Sequence, residues 1–522
     1  MKGEFAEIKI MSKIFVGNME NIHMTVISLA NVVLSVLTSW LNYHNFFMVV
    51  FFYKNFKEGK IMEKVLRDSS SSFVEREIQL KREIGLFDGI NIIMGIMIGS
   101  GIFYLGSYVL MRSGMSLGLS IAVWIIGGFV TLLSGLCYAE LGTMMPKAGG
   151  SYIYQREAYG SKWAFVGGLS SFVIGSCGST AALAIAFPTA LSNLIPISDP
   201  QIKIIAVISI MLLTVINIIG VKQGAMVQNI FTIGKLIPIG LILFTGLFLG
   251  KETPSLSLIP ATENISISSI LGMIGFGVVA TLWAYEGWTN LNNISEEIKN
   301  PSKNIPRSII FSIVIVTTLY ALFNFALYRV IPYDRITSLI NSKNYYLGTE
   351  AAGILFGSTG SLIVGSCMAI SIFGALNGCV IVFPRKCFAM ARDGYLPKVF
   401  AQVHPQYQTP YTSLIVHMVI AIALVLMRNL DQMTSLVIFS GMIFNALTFY
   451  SVIVLRKKYP NMERPYKVKT WMVYITIAIM VALTANTLYE DPITSIIGLI
   501  VPAICYVIYI FIDRKNQNTR GI

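Results

Sequence analysis

Long uncharged apolar runs recur along this chain from about residue 85 almost to its end, and short clusters of charged residues separate them. An α-helix needs about 20 apolar residues to cross the hydrocarbon core of a bilayer. In that core only helices and closed barrels satisfy their backbone hydrogen bonds, and runs of this length are typical of helices. The pattern therefore predicts an all-α polytopic membrane protein.

The composition agrees with that fold class. Only 12% of the 522 residues are charged and 55% are hydrophobic, whereas soluble domains carry about 25% charged residues. The six cysteines lie inside apolar segments without Cys-x-x-Cys spacing, which fits neither a zinc site nor a disulfide framework. We expect no cofactor, no metal and no enzymatic activity. The net charge of +13 resides in loops rather than in a nucleic-acid-binding patch.

Twelve spans follow from the lengths of the apolar runs. Several exceed the length of a straight crossing, so tilted or interrupted helices are expected. The predicted spans are residues 88–110, 118–142, 163–190, 204–220, 225–249, 268–298, 307–330, 358–391, 411–427, 433–455, 471–488 and 493–512.

Lys and Arg concentrate in the loops of one side of the predicted bundle. Because cytoplasmic loops carry an excess of these residues, that side is predicted to be cytoplasmic. The prediction gives a twelve-helix transporter domain over 85–513 with both its ends in the cytoplasm, followed by a cytoplasmic tail over 514–522. We expect a cell-membrane location. The basic loops are 54–82, 299–307, 385–398, 456–469 and 514–520.

The first 84 residues form an N-terminal extension. Its uncharged segment 24–53 is long enough to span a membrane but contains one His and three Asn residues. Three interpretations stay open: an additional helix, a signal-anchor, or sequence translated upstream of a true start at Met62. The third, a dispensable prefix, is favoured. The remainder of the extension is predicted to be a cytoplasmic tail that leads into the first span.

Two predicted spans contain interruptions at matching places. Gly99-Ser100-Gly101 breaks the first span, and the segment around Glu286 and Gly287 breaks the sixth. The sixth span comes five helices after the first, and a repeat with an odd number of helices inserts the second half upside down, as in transporters with inverted repeats. A broken helix frees N–H groups that suit a carboxylate and carbonyls that suit an ammonium group. The two breaks together therefore predict a site for a zwitterionic amino acid.

Four motifs around these positions resemble the L-type amino acid transporters, which are light chains of heteromeric amino acid transporters within the amino acid–polyamine–organocation superfamily. The resemblance runs in order from about Gly85 to Ile512. It implies the LeuT-like fold of two inverted five-helix repeats plus two C-terminal helices, and amino acid transport by alternating access. The motifs are GIMIGSGIF (95–103), YAELGTMMPKAGGSYIYQREAYG (138–160), WAYEGWTNLNNISEEIKNPSKNIPRSI (283–309) and FAMARDGYLPKVFAQVHPQYQTP (388–410).

The resemblance also implies roles for individual residues. The first break matches the carboxylate-binding segment, and the sixth-helix break matches the segment whose carbonyls hold the substrate amino group. Trp283 matches an aromatic that closes the site from outside, and ordinary packing is the alternative. Asn445 matches a polar residue near the substrate, and an interhelical hydrogen bond is the alternative. The substrate-binding residues so implied are Ile98, Gly99, Ser100, Gly101, Trp283, Ala284, Tyr285, Glu286, Gly287 and Asn445.

Lys235 matches a fifth-helix lysine at the place where sodium-coupled relatives bind an ion. It lies about ten residues inside its span, too deep for simple snorkelling to the interface. Its ammonium is expected to replace the ion and to tie the first helix to the eighth. A purely structural hydrogen-bond donor is the alternative.

Two departures from the family bear on partners and substrates. The loop 189–203 lacks the cysteine that bonds a heavy chain in metazoan light chains, so a covalent heavy-chain partner is not expected. Glu286 replaces a residue that is small in many carriers of large neutral amino acids, and an acid there resembles the branch for cystine and dibasic amino acids. Cation binding, proton handling and a structural role stay open for it. Glu296 and Glu297 are candidates for a gate with Lys299, Lys303 and Arg307, and a solvated loop cluster is the alternative.

The leading hypothesis is a secondary active amino acid transporter, either an exchanger or a proton-coupled symporter, for neutral L-amino acids, with cationic L-amino acids left open as further substrates. A polyamine or cationic amino acid carrier is the second hypothesis. A receptor that senses amino acids with little flux is the third.

Overall fold

The computed structural model describes residues 80–520 apart from 100, 193–194, 261–265, 343–344, 428–429 and 491. The hydrophobic segment predicted at 24–53 and the alternatives for the N-terminal extension therefore lie outside the described residues, as does Ser100.

Twelve principal helices account for most of the described chain, and short helices in the loops connect them. Each overlaps one predicted span, so the predicted helix order is confirmed. They are α1, in two halves α1a (Leu86–Met97) and α1b (Gly101–Arg112); α2 (Leu117–Met144); α3 (Ser161–Leu191); α4 (Asp199–Ile219); α5 (Val221–Leu249); α6, in two halves α6a (Ile267–Ala284) and α6b (Trp288–Glu297); α7 (Pro301–Val330); α8 (Thr359–Val382, continuing as Pro384–Arg392); α9 (Tyr411–Met427); α10 (Leu430–Lys458); α11 (Thr470–Glu490) and α12 (Pro492–Arg520).

Six helices of the described chain are long and apolar enough by themselves to cross a membrane, namely α2, α3, α4, α5, α7 and α8. They differ in how much protein surrounds them. In the most apolar 18-residue window, 83% of α8 is buried, against 33% of α4 and of α5. Large apolar side chains on the outer faces of α4 and α5 are exposed, as expected for helices that face lipid. Helix α8 is therefore a central element of the bundle.

The two interruptions predicted from sequence are confirmed. Helix α1a ends at Met97 and α1b begins at Gly101, while α6a ends at Ala284 and the 3₁₀ turns of α6b begin at Trp288. Both breaks face the interior, where α1a packs against α5, α7, α8 and α6b. Irregular backbone is tolerated at membrane depth only where protein or a cavity surrounds it.

Two predictions overlap over residues 385–391, and the structure agrees with the span 358–391 rather than with the start of the basic loop 385–398. Arg385 and Lys386 are both buried within the continuation of α8, which ends at Arg392. Arg385 is neutralised there by Glu297 of α6b, with Nε–Oε1 and Nη2–Oε2 distances of 2.7 and 3.1 Å. Two parallel charge-assisted bonds of this kind let an arginine remain inside a bundle.

The prediction of which cations pair with Glu296 is also wrong. Its carboxylate oxygens both lie 3.0 Å from Nη1 of Arg392 on α8. The cations expected as partners are exposed on the surface instead: Lys299, Lys303 and Arg307. The two acids of α6b therefore connect this half-helix to the end of α8.

Candidate functional site

The two helix breaks are in direct contact with each other. Gly287 in the α6 break has a φ of +131°, a conformation that favours glycine. A Cβ atom at this position would lie 2.8 Å from Cγ2 of Ile96 and 3.1 Å from the backbone nitrogen of Met97. Glycine is therefore required for both the backbone conformation and the close approach of α6 to the end of α1a.

A tyrosine of α7 joins the ends of the two first half-helices. The Tyr320 hydroxyl lies 2.9 Å from the carbonyl oxygen of Met97 and 3.0 Å from that of Ala284, and it donates its single proton to one of them at a time. These carbonyls belong to the last residues of α1a and α6a, which have no amide partner within their own helix. The sequence contains no signal for this residue beyond a hydroxyl in an apolar span.

At the α1 break, the backbone N–H groups that are available to a ligand lie mainly at the start of α1b. The N–H of Ile98 donates to the Met94 carbonyl at 2.8 Å, and the N–H of Gly99 donates to the Met97 carbonyl at 2.9 Å. Both groups therefore complete the end of α1a. Helix α1b begins at Gly101, and the first N–H groups of an α-helix have no partner within it. A Cβ at Gly99 would meet no atom within 4 Å, so open space adjoins the break.

Lys235 of α5 is fully buried next to this break. Its Nζ donates to the carbonyl oxygens of Gly95 at 2.7 Å and Ile98 at 2.5 Å on α1, and lies 3.4 Å from that of Ser371 on α8. The Ser371 hydroxyl also donates to the Ile98 carbonyl, at 2.7 Å. The ammonium group thus links α1 to α8, at the position expected from sequence. Its role in coupling stays a prediction.

Tyr285 and Trp283 precede or lie within the α6 break, and they differ in what the structure shows of their side chains. The Tyr285 ring is buried between Trp124 and Tyr320, and its hydroxyl donates to the Trp124 carbonyl at 2.9 Å. This side chain belongs to the core, so Tyr285 has only its backbone to offer a ligand. The side chain of Trp283 is outside the described part, and its predicted closing role stays a prediction.

Glu286 is the exposed residue between buried neighbours in the α6 break. It lies deep in the bundle, since its carboxylate interacts electrostatically with Tyr138 of α2 and with Cys379 and Lys386 of α8. Its exposed side chain therefore borders accessible space among these helices, which we call the cavity. Among the described residues, no Lys, Arg or His nitrogen forms an ion pair with it within 4 Å.

Asn445 of α10 is half-buried and accepts a 2.8 Å hydrogen bond from the Tyr138 hydroxyl of α2. The Tyr138 ring packs edge-to-face on Trp288 of α6b at 5.1 Å between ring centroids. Asn445 therefore forms the interhelical hydrogen bond considered as its alternative role. That bond also holds it near the start of α6b, beside the break.

The chemistry of the breaks suits a zwitterion. Two helix C-terminal ends, α1a and α6a, bring carbonyl oxygens and partial negative charge, and two N-terminal ends, α1b and α6b, bring N–H groups and partial positive charge. In the described part of the chain, no group of three or more His, Cys, Asp or Glu residues could hold a metal ion. Charges near the breaks include the backbone dipoles, Lys235 and Glu286.

Known proteins are similar to this chain over most of its length. The sequence profile described as amino acid permease matches residues 84–512. The chain is 37% identical over 416 residues to the serine/threonine exchanger SteT of Bacillus subtilis, which covers 79% of this chain and 92% of the exchanger.

The similarity to two mammalian relatives extends over a comparable length of the chain. Identity to the human large neutral amino acids transporter small subunit 2 is 33% over 429 residues, covering 81% of this chain and 78% of the relative. Identity to the mouse b(0,+)-type amino acid transporter 1 is 30% over 432 residues, covering 81% of this chain and 86% of the relative.

Proposed function

The chain belongs to the amino acid permease family, with the LeuT-like helical fold of that family, and we propose that it exchanges neutral L-amino acids across the cell membrane. It is an integral membrane transporter rather than an enzyme. The substrate would bind where the α1 and α6 breaks meet. The single observation that supports this site best is the Gly287 contact with Ile96 and Met97, which holds carbonyl and N–H helix ends around one point.

The substrate carboxylate would face the first turn of α1b, and its ammonium group the carbonyls at the end of α6a. Exchange of small neutral amino acids is supported by the similarity to a serine/threonine exchanger over 92% of that protein. Because a zwitterion satisfies both pairs of helix ends, the backbone recognises the amino acid and leaves the side chain to the cavity beside Glu286.

The basic loops 299–307 and 456–469 would face the cytoplasm, in accordance with the excess of Lys and Arg on that side of a membrane. We call this end of the bundle the basic face. A covalent heavy-chain partner is not expected. The loop 189–203 contains no cysteine, and all six cysteines are free and buried.

A competition panel tests the proposed substrate class. Purified full-length chain in liposomes loaded with unlabelled L-serine would take up labelled L-serine, and unlabelled neutral, cationic and anionic amino acids would compete for uptake. Inhibition by small neutral amino acids well above inhibition by L-lysine, L-arginine or L-aspartate is expected. Serine uptake no greater than in protein-free liposomes would refute the proposal, and serine binding without flux would indicate the receptor alternative.

A second candidate is a carrier of cationic amino acids or polyamines. The accessible carboxylate of Glu286 in the cavity favours it, because an opposite charge would attract a cationic substrate side chain. In the same panel, inhibition by L-lysine, L-arginine or a diamine stronger than inhibition by L-serine would favour this candidate.

A further inference from the structure

Lys386 of α8 is a buried cation that the transport site described above does not use. Its side chain is 7% exposed, and its Nζ donates a 2.9 Å hydrogen bond to the hydroxyl of Ser171 on α3. Within the described chain no carboxylate lies within 4 Å of it. A buried ammonium held by one neutral hydroxyl is costly unless a more distant negative charge compensates it.

Helix α3 changes its geometry where it meets this lysine. Ser171 begins a π-helical segment that ends at Cys177, and the Cys177 thiol also interacts electrostatically with Lys386. Such wide turns are rare and occur frequently at functional sites. The wide turn therefore coincides with the contact between α3 and the Lys386 ammonium group.

The Glu286 carboxylate lies on the same side of α8 as Lys386. Ile96 of α1a lies against both α6 and α8, because a Cβ at Gly287 would lie 2.8 Å from its Cγ2 and a Cβ at Gly378 would lie 2.5 Å from its Cγ1. Glu286 precedes Gly287 and Cys379 follows Gly378, and the Glu286 carboxylate interacts electrostatically with the Cys379 thiol. Seven residues, or two helical turns, separate Cys379 from Lys386, so both lie on one face of the helix, about 10.5 Å apart along its axis.

Glu286 and Lys386 consequently face the same interior space and interact electrostatically there. We propose that Lys386 is a specificity-determining residue that compensates the charge of Glu286, so that the cavity beside the substrate side chain has no net charge and selects neutral amino acids. A cationic side chain drawn toward Glu286 is repelled by Lys386, and an anionic one drawn toward Lys386 is repelled by Glu286.

This inference rests on the proposed amino acid exchange, and charge selectivity tests it. In the liposome assay, Lys386→Gln removes the charge while an amide can still donate to Ser171, and Lys386→Met removes both. For both variants we expect inhibition by L-lysine, relative to inhibition by L-serine, to rise by about tenfold, equivalent to about 1.4 kcal/mol. Lys303→Met removes an exposed lysine elsewhere and should leave the ratio unchanged.

The reciprocal variant provides an independent measurement. Glu286→Gln leaves Lys386 uncompensated, so inhibition by L-aspartate relative to L-serine should rise. An unchanged charge preference in Lys386→Gln and Glu286→Gln, in liposomes where wild-type serine exchange is intact, would overturn the inference and leave the proposed function standing. A change in Lys386→Met alone would also overturn it, since that would indicate the hydrogen bond to Ser171 rather than the charge. Absence of wild-type exchange would instead refute the proposed function.

Discussion

Lys235 and Tyr320 show how single polar groups stabilise two helix ends inside a membrane. The breaks leave backbone carbonyls of α1 and α6 without the amide partners that an unbroken helix would provide, and a buried carbonyl without a donor costs about 1–3 kcal/mol. The Lys235 ammonium serves the carbonyls of Gly95 and Ile98, and the Tyr320 hydroxyl lies between those of Met97 and Ala284. Both residues therefore position the backbone that would bind the substrate.

Lys235→Ala should abolish transport while the protein still reaches the membrane. The change leaves the buried Gly95 carbonyl without its donor, leaves the Ile98 carbonyl with the Ser371 hydroxyl alone, and removes the ammonium link from α1 to α8. A loss on the order of a hundredfold in serine exchange is therefore expected from about 3 kcal/mol. Lys222→Ala, which removes an exposed lysine from the same helix, is the matched control. Near-normal uptake by Lys235→Ala, measured per amount of reconstituted protein, would contradict this role.

Tyr320→Phe should reduce exchange by about tenfold, because losing one buried hydrogen bond costs about 1–1.5 kcal/mol. The phenyl ring preserves packing against Trp124 and Tyr285, so thermal unfolding should change little. Tyr328→Phe removes a buried hydroxyl from the same helix, one that bonds Ser120 at 2.9 Å, and serves as the control. Equal transport losses in the two variants would indicate that the location of the Tyr320 hydroxyl at the breaks does not matter for exchange.

The positions of the helices and of their breaks are the part of the structure that the sequence predicts best. Apolar run lengths locate the twelve helices. The glycines of the first and sixth spans locate both breaks, because glycine weakens a helix and, lacking a side chain, adds no packing surface in return. The exceptions follow from charge. Arg385 belongs to a basic cluster in the sequence, yet it is buried against the Glu297 carboxylate, which is 88 residues distant in the chain. Tertiary compensation of this kind has no local signature.

Gly287→Ala should abolish exchange. The added methyl group would lie 2.8 Å from Ile96 and 3.1 Å from the Met97 nitrogen, at a φ of +131° that alanine adopts only under strain. A cost of about 1–3 kcal/mol is expected, borne by the contact between the two breaks.

Gly275→Ala is the control for this prediction. It adds the same methyl group to α6a, where no atom lies within 4 Å, and alanine is the better helix former. Serine exchange should persist in this variant. Comparable losses in both glycine variants would refute a special role for the α6 break.

At the scale of the whole molecule, the basic face is closed around the end of α6b. The Glu296 carboxylate accepts hydrogen bonds from Arg392 and from the backbone N–H of Ala148, and the Glu297 carbonyl accepts from the N–H of Ile84 at 3.0 Å. The chain before α1, the loop after α2 and the end of α8 thus meet at one half-helix. Alternating access requires these contacts to separate when the site opens on this face.

Glu296→Gln should favour opening of the basic face. Arg392 is partly exposed, so the pair is worth about 1 kcal/mol, and its loss should raise the open population about fivefold. The rate of maleimide labelling of the buried Cys379 thiol, resolved by mass spectrometry, measures this change.

Glu350→Gln breaks an exposed ion pair with Arg335, outside the basic-face network, and should leave the Cys379 labelling rate unchanged. An unaltered rate in Glu296→Gln would show that these bonds do not hold the face closed.

Exchange is tested most directly by measuring whether uptake depends on amino acid inside the liposomes. Liposomes containing the purified chain would be prepared with internal L-serine, with internal buffer alone, or with internal buffer and an imposed pH step. We predict rapid uptake of labelled L-serine with internal L-serine, and near-background uptake in the other two preparations. Uptake driven by the pH step without internal amino acid would contradict exchange and establish proton coupling instead.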